Sequence, residues 1–191
     1  MTICIFSGTF NPIHNGHIKM ADFALKNFNF DKIIFIPAYI PPHKQVGLDL
    51  AQHRLSMVKI ATSINPRFEV SDIEYKENAP SYSVNTVKKI IKKYNIKERL
   101  NFIIGTDAFK KIESWYHSDE LKNLVHFIVF PRIGDDIESI KSEFKQKGWD
   151  FEILECDFFN VSSTEIRKNF SSNQIDKKVK DYINGHDLYR N

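Results

Sequence analysis

Cysteine is nearly missing from this chain of 191 residues: only Cys4, in a predicted first strand, and Cys156, in a late one, occur, neither in a CxxC or CxxxxH spacing. That usage excludes a disulfide framework, and neither residue reads as a metal ligand or a nucleophile. Long hydrophobic runs are missing too, with none near the ~18 residues of a membrane span. The start shows no basic segment followed by an apolar one, as a secretory signal would. The expectation is a cytoplasmic protein with no membrane partner. Charge of one sign is also scarce, because 27 Lys and Arg against 24 Asp and Glu leave a net charge of only +3. The basic pairs Lys88-Lys89, Lys92-Lys93 and Lys177-Lys178 lie in helical patterns beside apolar residues, as solvated faces do, so no nucleic-acid partner is expected. Phosphorylated small molecules suit so mild a balance. Repeats, low-complexity tracts and linkers are lacking, and one domain over 1–191 is expected. At this length a chain buries roughly 70% of the surface its unfolded form exposes, which needs no staples.

The apolar residues present alternate between two periods. Ile3-Cys4-Ile5-Phe6 is short, β-branched and aromatic, and reads as a buried strand; Ile18, Ala21, Phe23, Ala24, Leu25 and Phe28 then recur at helical spacing. Lys32 to Pro37 is a second strand, and a strand–helix–strand unit of this length implies parallel pairing with a right-handed crossover. The scheme continues through a helix behind Asp49 as N-cap, a strand Phe68 to Val70, and a helix from Val84 to Tyr94. Strands at Leu100 to Ile104 and Val125 to Phe130 follow, then a helix around Ile137, Ile140 and Phe144, and a last strand from Phe151 to Leu154. The expected fold is α/β, a Rossmann-like parallel sheet with helices on both faces and a helical C-terminal part from about residue 162. Its last helix is expected from Gln174 to Asn184, with Asn173 as cap and Gly185 as stop.

In open α/β sheets ligands bind beyond the carboxyl ends of the strands, where helix N-termini offer free N–H groups to anions. The first such place is the turn Ser7-Gly8-Thr9-Phe10-Asn11-Pro12-Ile13-His14-Asn15-Gly16-His17. Gly8 lets the backbone approach a ligand, Thr9 offers a hydroxyl, and His14 and His17, three apart at a helix start, can face one way. Two imidazoles there would stabilise charge on a phosphate chain; the plainer reading is a helix start with two surface histidines. Gly105-Thr106-Asp107 forms a second turn of this kind, in which Asp107 could serve a ribose or hydrated magnesium, or simply cap a helix. At Val161 to Lys168, Ser162 and Glu165 match a capping box, while the same helix start, with its Ser and Thr hydroxyls and Arg167, could hold phosphate oxygens. Lys44, in the loop Pro41-Pro42-His43-Lys44, could reach a phosphate or face solvent. Thr86 could address an anionic or polar ring substituent or cap its helix. Trp115 and Tyr116 stand in a polar break where an indole could stack on a flat ring. His53 and Arg54 read equally as surface residues and as ligand contacts.

SGTFNPIHNGH resembles the GGTFDPxHxGH signature of the nucleotidylyltransferase superfamily, with Ser7 where Gly and Asn11 where Asp are usual. Together with IPAYIPPHK, APSYSVNT, FIIGTDAF, SWYH, VSSTEIR and YINGHDLYR, it resembles the bacterial nicotinate-nucleotide adenylyltransferases nearly end to end. Ser83 and Asn85 stand where Thr and Asp are common in that family. The resemblance implies adenylyl transfer from ATP to nicotinate mononucleotide, with Mg2+ carried on ATP and no metal site of the protein's own. It implies His14, His17 and Arg167 as the catalytic groups. The ATP cradle would comprise those three with Gly8, Thr9, Phe10, Gly105, Asp107, Ser162, Ser163 and Thr164, and the mononucleotide would meet Lys44, Thr86, Trp115 and Tyr116. The alternatives left open are another acceptor, such as the amide mononucleotide or phosphopantetheine, and a silent nucleotide-binding sensor.

Overall fold

A computed structural model describes residues 1–42, 46–154, 161–168 and 173–190. Six strands, β1 (Ile3–Gly8), β2 (Lys32–Pro37), β3 (Phe68–Val70), β4 (Leu100–Gly105), β5 (Val125–Phe130) and β6 (Phe151–Ile153), form one sheet. Their order is β3-β2-β1-β4-β5-β6, and every pairing is parallel. The helices are α1 (Asn15–Asn27), α2 (Asp49–Thr62), α3 (Ser83–Tyr94), α4 (Thr106–Phe109), α5 (Ser118–Leu124), α6 (Ile137–Gln146), α7 (Ser163–Lys168) and α8 (Lys177–Gly185). This is the Rossmann-like α/β architecture expected from the two alternating periods. Among the described residues, no helix is long and apolar enough to cross a membrane.

The period of two along the strands divides the core into two layers. Cys4 and Phe6 of β1, Ile33 and Phe35 of β2 and Ile103 of β4 turn to the face covered by α1, α2 and α8, where Ala21, Val58 and Val179 meet them. Ile3, Ile5, Ile34, Phe102 and Phe127 turn to the opposite face, under Val87 and Ile90 of α3 and Phe144 of α6. Because both faces are covered, Ile3 to Phe6 of β1 and Phe102 to Ile104 of β4 are unbroken apolar runs rather than alternating. Cys4 is fully buried, and burial pushes its thiol well above the usual range, so it behaves as a small apolar filler. Cys156 lies outside the described residues.

Strand order reverses direction between β1 and β4. The chain runs outward from β1 to β2 and β3, then returns past β1 to start β4, leaving a crevice beyond Gly8 and Gly105. Three helix ends depart from the sequence reading: the start of α8, its end, where Gly185 is the last helical residue and His186 the C-cap, and the start of α2, whose N-cap is Leu48. Asp176, not Asn173, caps α8, its carboxylate accepting from the N–H groups of Lys178 and Val179. The backbone at Asn173 is a turn whose carbonyl accepts from the side chain of Asn15. Asp49 is the first residue of α2 and makes no side-chain capping bond.

Candidate active site

The crevice opens into a cavity of about 870 Å³ bounded by the ends of β1, β4 and β5 and the start of α7. Beyond Gly8, Phe10 takes a left-handed backbone (φ 45°) and the Asn11–Pro12 peptide is cis. The chain thereby doubles back and delivers His14 to the N-cap of α1. Gly8 is needed because a Cβ there would stand 3.1 Å from the Phe10 ring. Gly16 is needed for a similar reason: its Cβ would meet His14 Nδ1 at 3.0 Å and Cε1 at 3.1 Å. With no side chain at 16, the His14 ring folds over the first turn of α1 and stacks on His17, centroids 3.6 Å apart and planes 22° from parallel. His17 is oriented from below, its Nδ1 accepting from the His14 N–H at 3.2 Å.

Electrostatics distinguish the two imidazoles. His14 is buried, and desolvation, helped by the Arg132 guanidinium, lowers its pKa to about 3. Its ring is therefore neutral at physiological pH, and its Nδ1 has no hydrogen-bond partner among the described residues. An orphaned buried ring nitrogen beside a cavity is a group waiting for a ligand.

The start of α7 meets the same turn from the other side. Ser163 Oγ donates to the Pro12 carbonyl at 2.9 Å. Arg167 Nη1 donates to the Asn11 carbonyl at 2.5 Å and its Nη2 to Thr164 Oγ1 at 3.3 Å. Ser162 Oγ accepts from the Glu165 N–H at 3.1 Å, the forward half of the capping box read from the sequence. Ser162, Ser163, Thr164 and Arg167 all line the cavity with Gly8, Thr9, Phe10, His14 and His17.

Gly105 precedes α4 as its N-cap, without a side-chain capping bond. Asp107 lies in the first turn of α4 with an exposed carboxylate paired to Arg132 Nε at 2.9 Å. Among the described residues, no group of three or more His, Cys, Asp or Glu could hold a metal ion. Trp115 is half-buried, packed against the second core layer, and also lines the cavity. Tyr116 is half-exposed and stacks on Tyr82 at 4.3 Å.

One expected residue is not brought to this cavity. Thr86 is buried, its hydroxyl donating to Glu74 Oε1 at 2.6 Å and its N–H to the Tyr82 carbonyl at 3.2 Å, so its donors are spent inside the protein. Lys44 lies outside the described residues. In the other direction, sequence reasoning missed Arg132, which lines the cavity while its Nη1 donates to the Val161 carbonyl at 3.0 Å. A basic residue just past the carboxyl end of a predicted strand was the available signal. Tyr82 was missed also, because its ring stacking depends on a loop distant in sequence. Arg54 is not a surface residue, since its side chain is fully buried, and it is not among the residues that line the cavity.

The cytidylyltransferase-like family model matches residues 5–169. A Fusobacterium nucleatum protein named "Probable nicotinate-nucleotide adenylyltransferase" is 40% identical over 188 residues, 96% of this chain and 97% of that protein. The nicotinate-nucleotide adenylyltransferase of Bacillus subtilis is 39% identical over 196 residues, 98% of this chain and 97% of that one. The solved structure of Plasmodium falciparum nicotinic acid mononucleotide adenylyltransferase complexed with NaAD has the same fold, with a TM-score of 0.74 at 23% identity over 98% of this chain and 97% of that one. With its histidine pair and α7 converging on one strand-end cavity, the chain belongs to the cytidylyltransferase-like family and, within it, to the nicotinate-nucleotide adenylyltransferases.

Proposed function

We propose that this protein transfers AMP from magnesium-bound ATP to nicotinate mononucleotide, giving nicotinate adenine dinucleotide and pyrophosphate. The observation that carries this reading is the stacked His14–His17 pair at the start of α1, in a cavity that Trp115 and Tyr116 also line. The pair suits a phosphate chain and the aromatics a flat ring. An oxygen of the mononucleotide phosphate, already ionised, attacks the α-phosphorus in line. The bond from that phosphorus to the bridging oxygen breaks, and its electron pair leaves on pyrophosphate. No nucleophile of the protein has to be activated, so catalysis is positioning and charge stabilisation.

His14 and His17 would donate to phosphate oxygens as charge builds on them. A polyphosphate beside His14 would favour its protonated form, offsetting the desolvation that keeps the ring neutral in the ligand-free protein. Gly8, Thr9 and Phe10 would shape the floor of the triphosphate path, and Ser162, Ser163, Thr164 and Arg167 its wall. Gly105 and Asp107 would face the adenosine side. Trp115 would stack on the pyridine ring beside Tyr116, with Lys44 a further candidate for the mononucleotide phosphate. Thr86 could serve the ring carboxylate only after exchanging its present bonds. Magnesium arrives with ATP and keeps most of its waters, so the reading asks for no metal cage.

The test is pyrophosphate release by the purified protein with magnesium-ATP, comparing nicotinate mononucleotide with its amide at equal concentration. Strong preference for the acid is expected. Preference for the amide would keep the chemistry and overturn the acceptor; silence with both, while ATP still binds, would favour a sensor.

A further inference from the structure

Past the last paired residues of β1 and β2, Gly8 and Pro37, the two chains separate and carbonyls lose their neighbours in the ladder. Three of these carbonyls converge on one side chain. Arg54, projecting from α2, donates from Nη1 to Thr9 O at 2.9 Å and to Ala38 O at 2.5 Å, and from Nη2 to Tyr39 O at 3.1 Å. The guanidinium is fully buried, and its Nε has no partner among the described residues. Burial lowers its pKa, with Tyr75, Tyr189 and Glu74 acting in the opposite sense. So costly a placement is not required by the core, whose other large buried side chains are apolar.

Tyr39 is held at both ends by this arrangement. Its carbonyl accepts from Arg54, while its N–H lies 2.9 Å from Ser81 Oγ and 3.3 Å from Glu74 Oε2. Glu74 is itself buried. Thr9 begins the histidine turn, and Ala38, Pro41 and Pro42 bound the cavity on the other side. Arg54 itself does not line the cavity.

We propose that Arg54 is a positioning residue: its buried fork ties the β1–α1 turn to the loop after β2, and so fixes the separation between the nucleotide cradle and the acceptor beside it. Glu74 and Ser81 complete the tie by holding Tyr39 from its N–H side. Only a guanidinium can serve three carbonyls in one plane; a lysine keeps the charge but not the fork. The proposal rests on the adenylyl-transfer reading, because the separation matters to a reaction that needs two bound nucleotides in line.

The experiment compares wild type, Arg54→Lys and Glu74→Gln in pyrophosphate release and in amide hydrogen exchange. For Arg54→Lys, kcat is expected to fall on the order of 10²-fold, the cost of a misplacement near 1 Å. KM for either substrate should move by no more than about threefold, since ground-state contacts remain. Exchange at residues 8–11 and 38–40 should quicken at least ~10-fold while the amides of β4 and β5 hold. Glu74→Gln should lower kcat in the same sense by less, and the double variant should lose less than the product of the two, because both act on Tyr39. Wild-type kcat in Arg54→Lys overturns the proposal, as does a loss that disappears when rates are expressed per folded molecule. If Arg54→Lys does not fold, Glu74→Gln decides, and wild-type kcat with unchanged exchange at 38–40 overturns the tie. A wild-type protein silent with both mononucleotides refutes the reaction instead, and the exchange comparison then still decides whether the tie exists.

Discussion

Replacing His14 by Asn should flatten the acid limb of the protein's stability profile. In the folded chain the His14 pKa is lowered from 6.5 to about 3, first by burial and then by Arg132. Unfolding releases the ring to water, where it takes up a proton whenever the pH is below 6.5. Between about pH 6.5 and 3 the unfolded state therefore binds more protons than the folded one, and stability falls as pH falls. At about 1.36 kcal/mol per unit of pKa difference, the loss at pH 5 is about 2 kcal/mol relative to pH 7, and at pH 4 about 3 kcal/mol. Glu74, whose carboxyl is raised by burial, works in the opposite direction, but it is common to both proteins and cancels in the comparison. The assay is urea unfolding of wild type and His14→Asn at pH 7 and pH 5. The variant will differ in packing at both pH values, so only the change between them is informative. Wild type should lose about 2 kcal/mol more than the variant on acidification. Parallel losses would refute the claim that His14 is held neutral inside the fold.

Three further outcomes are expected. His17→Ala should reduce kcat by roughly 10²- to 10³-fold, the range for one transition-state donor, with far-ultraviolet circular dichroism unchanged; near-normal turnover would remove His17 from the chemistry. Trp115→Ala should raise KM for the mononucleotide more than KM for ATP in initial-rate measurements, and equal effects would mean that the indole only packs against the second core layer. Gly16→Ala, whose Cβ would press on the His14 ring, should cut turnover at least ~10-fold without loss of thermal stability, whereas wild-type turnover would show that the ring yields freely.

Most of the sheet was readable in advance because β1, β2, β4 and β5 are short, mostly apolar runs, which burial on both faces makes unmistakable. The start of α8 was misread because Asn173 and Asp176 are both good caps, and only the folded backbone distinguishes a turn from a helix start. The histidine turn was visible because its chemistry is concentrated in eleven consecutive residues. Residues acting across long sequence separations were not. Arg132 reaches Asp107 and Val161, and Arg54 reaches Thr9, through contacts that no local pattern encodes. Thr86 shows the opposite limit: local pattern put it at a helix start, where it lies, but could not show that Glu74 takes its hydroxyl from a separate short 3-10 helix, Ile73–Lys76.

The far end of the chain closes on the histidine turn: beyond Ser163 and Arg167, Tyr189 donates to Asn11 Oδ1 at 2.6 Å, and the Asn15 N–H donates to the Gln174 carbonyl at 2.8 Å. During synthesis the turn is therefore made long before its braces, Ser163 following Pro12 by 151 residues. A polypeptide halted between residues 17 and 163 would carry both imidazoles and none of these restraints. Closing so distant a contact costs little more entropy than a moderate one, yet it makes the brace on the turn depend on residues made long after it. Fragments left by stalled ribosomes or C-terminal trimming should accordingly be inert rather than partly active.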